Sequence, residues 1–120
     1  MEILENDIFY KFVGQRLPFT AVLADYKKIR SPHYRKAYHR VLIFRNIKWE
    51  NRLFRNHVHI QVSKGVWNEL HNRYPNPFGL TFTFTAEIYR YTKKPDWKRH
   101  EIARVQSIGL QDIRKIQRVR

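Results

Sequence analysis

The stretch Leu80-Thr-Phe-Thr-Phe-Thr-Ala-Glu-Ile-Tyr-Arg-Tyr91 alternates apolar and polar side chains almost without a break. Period two marks a half-buried strand, because successive side chains point to opposite faces of a sheet. Phe82, Phe84, Ala86 and Ile88 therefore form a core face, and Thr81, Thr83, Thr85, Glu87, Tyr89 and Tyr91 form the other. The two tyrosines on that second face either stack on a ligand or cover a second apolar layer. Any fold for this chain has to provide neighbouring strands for this one.

Four further segments supply them. Phe19 to Lys28 places Phe19, Ala21 and Leu23 on one face. Arg40 to Glu50 is read with Val41, Ile43 and Ile47 together, and with Trp49 in either the core or a groove. Asn51 stands at the hairpin turn that follows. In Asn56 to Ser63, Val58, Ile60 and Val62 face one way and His57, His59 and Gln61 the other. Glu101 to Leu110 is the last strand, and Gln111 to Arg120 either extends it or forms a short helix carrying Ile113, Ile116 and Val119 on one stripe. Between the third and fourth strands, Ser63 is placed to cap a helix running to about Arg73, which Pro75 and Pro77 stop. Trp67 in that helix reads as a plug for the core.

The predicted class is all-β with one short helix, in the order three strands, helix, two strands. That is the element order of the OB-fold, a five-stranded Greek-key barrel. An SH3-like barrel lacks the helix, and a ferredoxin-like fold needs a second one. With no repeat, linker or low-complexity tract, residues 16–120 read as a single domain. Residues 1–15 form an N-terminal helical or extended segment, with Ile3, Leu4, Ile8 and Phe12 near one helical face. That segment either packs on its own barrel or pairs subunits in a homo-oligomer.

Charge narrows the partner. The chain carries 24 Lys and Arg against 10 Asp and Glu, for a formal net charge of +14. Such an excess repels itself in a compact fold, and its usual reason is a polyanionic partner. Residues 1–25 hold Glu2, Glu5, Asp7 and Asp25 against Lys11 and Arg16, so the basic excess belongs to the rest of the chain. No apolar run approaches the about 20 residues that span a bilayer. The basic residues fall in strands and loops, not on the amphipathic helix that membrane-surface binders use. Cysteine is absent, which excludes disulfides, thiolate catalysis and cysteine zinc sites. The acidic start and the lack of cysteine predict a cytoplasmic protein with no membrane partner.

The bases are interleaved with aromatic residues in two loops. In the first, Lys27, Lys28, Arg30, Arg35, Lys36 and Arg40 alternate with Tyr26, Tyr34 and Tyr38; in the second, Lys93, Lys94, Lys98 and Arg99 surround Trp97. Lysine and arginine neutralise phosphates with release of counterions, and flat aromatic faces accept unstacked bases. In an OB-fold these two loops flank one binding face. The expected nucleic-acid site is thus Lys27, Lys28, Arg30, Tyr34, Arg35, Lys36, Tyr38, Arg40, Lys93, Lys94, Trp97, Lys98 and Arg99.

His57-Val58-His59 is the one pattern with catalytic character, since two histidines at i and i+2 on a strand point the same way and can share a metal ion. It resembles the His-hydrophobic-His motif of HUH endonucleases, which nick single-stranded DNA with a metal ion and an attacking tyrosine. That resemblance implies Tyr74, Tyr89 or Tyr91 as nucleophile. No third metal ligand stands out.

The strand Gly79 to Tyr91, the basic loop after it and the closing Ile108-Gly-Leu-Gln-Asp-Ile-Arg-Lys-Ile116 resemble small OB-fold single-stranded-DNA-binding proteins of Gram-positive phages and conjugative plasmids. The resemblance spans residues 16–116. It implies a non-enzymatic module that holds single-stranded DNA, or RNA, with little sequence preference and without a cofactor. The chain departs from bacterial single-strand binders in ending on Arg114, Lys115, Arg118 and Arg120 where those carry an acidic tail. The competing readings are the metal-dependent nicking enzyme and a phage or plasmid inhibitor of a host nucleoprotein.

Overall fold

The computed structural model of the 120-residue chain describes residues 8–30, 38–93 and 105–119. It is mostly strand. Five strands, β1 (Arg16–Arg30), β2 (Tyr38–Trp49), β3 (Arg52–Val62), β4 (Thr81–Lys93) and β5 (Val105–Arg118), are joined by one helix, α1 (Lys64–Arg73), between β3 and β4. All paired strands are antiparallel, in the order β3-β2-β1-β4-β5. The edge strands β3 and β5 approach within 8 Å between Cα atoms but share no ladder among the described residues. The sheet is therefore open along that seam.

The strict alternations hold. Phe82, Phe84, Ala86 and Ile88 of β4, Phe19, Ala21 and Leu23 of β1, and Val58, Ile60 and Val62 of β3 are all buried. Each large apolar side chain removed from water contributes about 1.5–3 kcal/mol, so six buried phenylalanines (Phe9, Phe19, Phe44, Phe54, Phe82 and Phe84) weigh heavily in this core. Ser63 caps α1 as expected, its hydroxyl accepting from the Val66 N–H at 3.2 Å. Glu50 and Asn51 make the tight β2–β3 hairpin with φ of 49° and 65°. Positive φ at both loop residues is the geometry that matches the twist of the flanking strands.

The assignment of faces in β2 needs correction. Leu42 and Phe44, not Val41 and Ile43, join Ile47 in the core, with Trp49 half-buried against it. Val41 and Ile43 are also shielded, at 9 % and 8 % exposure, but on the opposite face, opposite Gln61 and His59 of β3. The cause is a bulge. Asn46 takes φ of 52°, and three residues of β2 from Arg45 to Lys48 oppose two of β1 from Val22 to Thr20. The inserted residue returns Ile47 to the face of Phe44.

The chain's last segment uses the same device twice. Asp112 and Lys115 have φ of 54° and 56°, and each precedes an isoleucine. Across each bulge, β5 advances three residues while β4 advances two: Gln111 to Arg114 opposite Glu87 to Thr85, then Arg114 to Gln117 opposite Thr85 to Thr83. Two plus one makes a period of three, so Ile113 and Ile116 pack inward from a strand. The stripe that resembled a helix is a twice-bulged β-strand.

At the N-terminus, Ile8–Phe12 is a 3-10 helix that buries Phe9 and leaves Ile8 38 % exposed. Phe9 meets Trp49 and Phe54 edge-on, and Phe12 lies 5.2 Å from Trp49. This places Trp49 in the core side of the structure. Gly14 turns the chain at φ of 87°, and its N–H donates to the Ile88 carbonyl. Residues 1–7 lie outside the described residues, so Ile3 and Leu4 are not placed. Among the described residues no helix is long and apolar enough to cross a membrane.

Candidate nucleic-acid interface

The β1–β4 ladder ends at Val22 opposite Thr81, but the β1–β2 ladder runs on to Arg30 opposite Tyr38. The hairpin from Asp25 onward thus projects past β4 as a two-stranded stem, which β3 accompanies as far as Val62 opposite Arg40. A register shift between Leu23 and Asp25 returns Tyr26 to the core face, and unbroken alternation from there sorts the stem's residues by face. One face carries Tyr26, Lys28 and Arg30 with Arg40 and Tyr38; the other carries Asp25, Lys27 and Ile29 with His39.

Five of the expected site residues meet here. Lys28 stands directly opposite Arg40, and Arg30 opposite Tyr38. The Lys28 ammonium lies 4.4 Å from the centre of the Tyr38 ring, a cation–π contact, and Tyr38 remains 45 % exposed. Lys27, Lys28 and Arg30 are exposed, and Arg40 is half-buried. Like charges opposed across strands are destabilising. Asp25, the acid on the stem, accepts from the neighbouring Tyr26 N–H. A polyanion laid along the stem would relieve that repulsion.

The root of the stem is fixed by an aromatic stack that sequence reasoning did not assemble. Tyr26 lies flat on Trp67 of α1, with centroids 3.8 Å apart and planes 2° from parallel. Trp67 is half-buried against the core, in keeping with its reading as a plug, and also stacks near His71 and Phe78. An aromatic residue at the start of a basic run was the available signal, but its partner is 41 positions away in sequence. Of the other expected residues, Lys93 ends β4 opposite Val105. Tyr34, Arg35, Lys36, Lys94, Trp97, Lys98 and Arg99 lie outside the described residues. The stems of the two loops leave the β1–β4 ladder from opposite ends: β1 and β2 continue beyond Val22, and β4 continues beyond Glu87.

The outward face of β2 and β3 sets polar side chains beside Val41 and Ile43. Arg45 stands opposite His57 and Ile43 opposite His59, and the Gln61 amide nitrogen lies 3.0 Å from His39 Nδ1. His57 and His59 share this exposed face as their spacing predicts. Among the described residues no group of three or more His, Cys, Asp or Glu side chains is placed to hold a metal ion. Two of the tyrosines that the nicking-enzyme resemblance requires, Tyr89 and Tyr91, are displaced along the sheet. By register His57 is level with Arg45, Val22 and Thr81, so Tyr89 lies three strands over and eight residues further on, about 26 Å of strand. Tyr74 follows α1, where its hydroxyl accepts from the Arg118 N–H.

Tyr89 and Tyr91 form a second aromatic pair, 5.7 Å apart on the outward face of β4. The Tyr89 ring covers Gly109, its partner on β5, so closely that a Cβ there would meet ring carbon Cε1 at 3.1 Å. Burial pushes the Tyr89 phenol above its ordinary value, and the neighbouring Tyr91 adds to the shift. Comparison of the chain with protein-family models, with curated proteins and with solved structures yields no match.

Proposed function

We propose that the protein binds single-stranded nucleic acid, DNA in preference to RNA, without catalysing a reaction on it. The observation that carries this reading is the β1–β2 stem, where Lys28, Arg30 and Arg40 share one face with an exposed Tyr38 and no acid. Cations there would neutralise successive phosphates, and the Tyr38 ring would stack on a base. Stacking contributes about 1–3 kcal/mol per base and is available only where bases are unpaired, which favours a single strand over a duplex.

The strand order supports an OB-like scaffold for this activity. Three consecutive antiparallel strands followed by a fourth that returns beside the first is the Greek-key arrangement, and the order β3-β2-β1-β4 is compatible with it. A five-stranded barrel of this kind, left partly open between β3 and β5, would bind nucleic acid on the face of strands two and three and on the loops beside it. The test is a fluorescence-anisotropy titration with labelled single-stranded DNA, the matching RNA and duplex DNA at two salt concentrations. Tighter single-strand binding with a steep salt slope is expected. Equal, weak binding to all three would reduce the charge to general stickiness and overturn the reading.

A further inference from the structure

A cleft of about 450 Å³ opens between α1 and the twice-bulged half of β5, away from the β1–β2 stem. Its floor is apolar: Leu70, Phe84 and Ile113 are buried there, and Ile116 is half-buried. Arg73, Arg114 and Lys115 stand among its lining residues with a single acid, Glu69. A smaller cleft lined by Arg73, Tyr74, Gln117 and Arg118 adjoins it and adds a fourth cation.

Two features separate this cleft from ordinary surface relief. First, the five consecutive residues Ile113 to Gln117 all line it. In a regular strand successive residues face opposite ways, so a continuous run on one cavity is a product of the bulges at Asp112 and Lys115. Lys115 holds a left-handed conformation that costs a non-glycine residue about 1–2 kcal/mol. Second, the polar groups converge by charge. Arg114 is held by the Asp112 carboxylate at 2.8 Å, which also pairs with Arg16 at 2.5 Å, so Arg73 and Lys115 are the lining cations set against the one lining acid, Glu69. An apolar cavity of about 300–1,000 Å³ with a few convergent polar groups is the usual form of a small-ligand site.

From this geometry we infer that the cleft binds a small amphipathic anion: an apolar body seated on Leu70, Phe84, Ile113 and Ile116, with a phosphate-like head held by Arg73 and Lys115. The site is independent of the single-strand reading, which rests on the β1–β2 stem. The head group is the shared chemistry of a nucleoside monophosphate and an alkyl phosphate, and the body distinguishes them.

The test uses the whole chain and the fluorescence of anilinonaphthalene sulfonate, an aromatic anion, as the reporter. Saturable binding at one site is expected, displaced by adenosine monophosphate if the cleft prefers a planar ring or by decyl phosphate if it prefers a chain. Arg73→Glu with Lys115→Glu should weaken the reporter's binding by tenfold or more. Glu69→Lys, which removes the one acid at an exposed helical position, should tighten it several-fold and guards against loss of binding through misfolding. Arg52→Glu on the remote β2–β3 hairpin should change nothing. Displacement by neither phosphate, or affinity indifferent to both the Arg73/Lys115 and the Glu69 variants, overturns the proposal.

Discussion

The β1–β2 stem and the end of β5 are both strand, yet they treat alternation in opposite ways. In the stem, period two runs unbroken from Tyr26, which still packs on the core, to the exposed Arg30, so side chains keep alternating after there is nothing left to bury. Both faces then become available to charge, and the sequence fills them with Lys27, Lys28, Arg30, Tyr38 and Arg40. In β5, bulges at Asp112 and Lys115 break the period so that Ile113 and Ile116 keep facing inward. The first region spends its regularity on display; the second gives up regularity to hold the core and opens a cleft as a result. The difference teaches that exposure in this fold is set by how far a hairpin outruns its neighbours, and burial by where an extra residue is inserted.

The contrast can be broken most severely in the core that both regions leave. Phe84→Ala removes a fully packed ring between Phe19 and Phe44 and should cost about 3–5 kcal/mol in denaturant unfolding. By comparison, alanine at Lys27, Lys28, Arg30 and Arg40 should change stability by no more than about 0.5 kcal/mol per site. The same four changes together should lower single-strand affinity by about tenfold or more at low salt, read by anisotropy. A stem that proved essential for folding would erase the distinction between the two regions.

The bulges give smaller effects. Lys115→Val, forced into a left-handed conformation that a β-branched residue resists, should destabilise by about 1–2 kcal/mol, whereas Lys115→Gly should be neutral or stabilising by up to about 1 kcal/mol. Gly109→Ala should cost about 1 kcal/mol through its close approach to the Tyr89 ring, and that cost should disappear in a Tyr89→Ala background. The smallest effect is on alkaline stability. Because folding raises the Tyr89 pKa above 10.0, the fold favours the neutral phenol; that contribution is complete below about pH 10 and is lost as pH rises through the raised value. In Tyr89→Phe, unfolding followed from pH 9 to 11 should show a shallower alkaline decline.

Much of this was legible in the sequence where one rule acted alone. The alternation of Phe82, Phe84, Ala86 and Ile88, the Ser63 cap and the Asn51 turn each follow from local chemistry, and each is found in place. The misreadings share one physical origin. A bulge adds a residue without any change of composition, so the spacing from Phe44 to Ile47, and from Leu110 to Ile113 to Ile116, resembles either a wrong face or a helix. Asn46 and Asp112, residue types that tolerate the left-handed region, were the available hints; Lys115 offered none. Within the candidate site, strand alternation brought together Lys28, Arg30, Tyr38 and Arg40, but the pairing of Tyr26 with Trp67 is a tertiary contact that no local pattern encodes.

The most direct test of the stem as the binding surface is the slope of log affinity against log salt for single-stranded DNA, measured for the natural chain and for the Lys27→Ala, Lys28→Ala, Arg30→Ala, Arg40→Ala variant. Each phosphate contact on a single strand contributes about 0.7 to that slope, so loss of the stem cations should make it shallower by about 2 to 3. An unchanged slope in a variant that still folds would contradict the account, because the phosphates would then be held elsewhere.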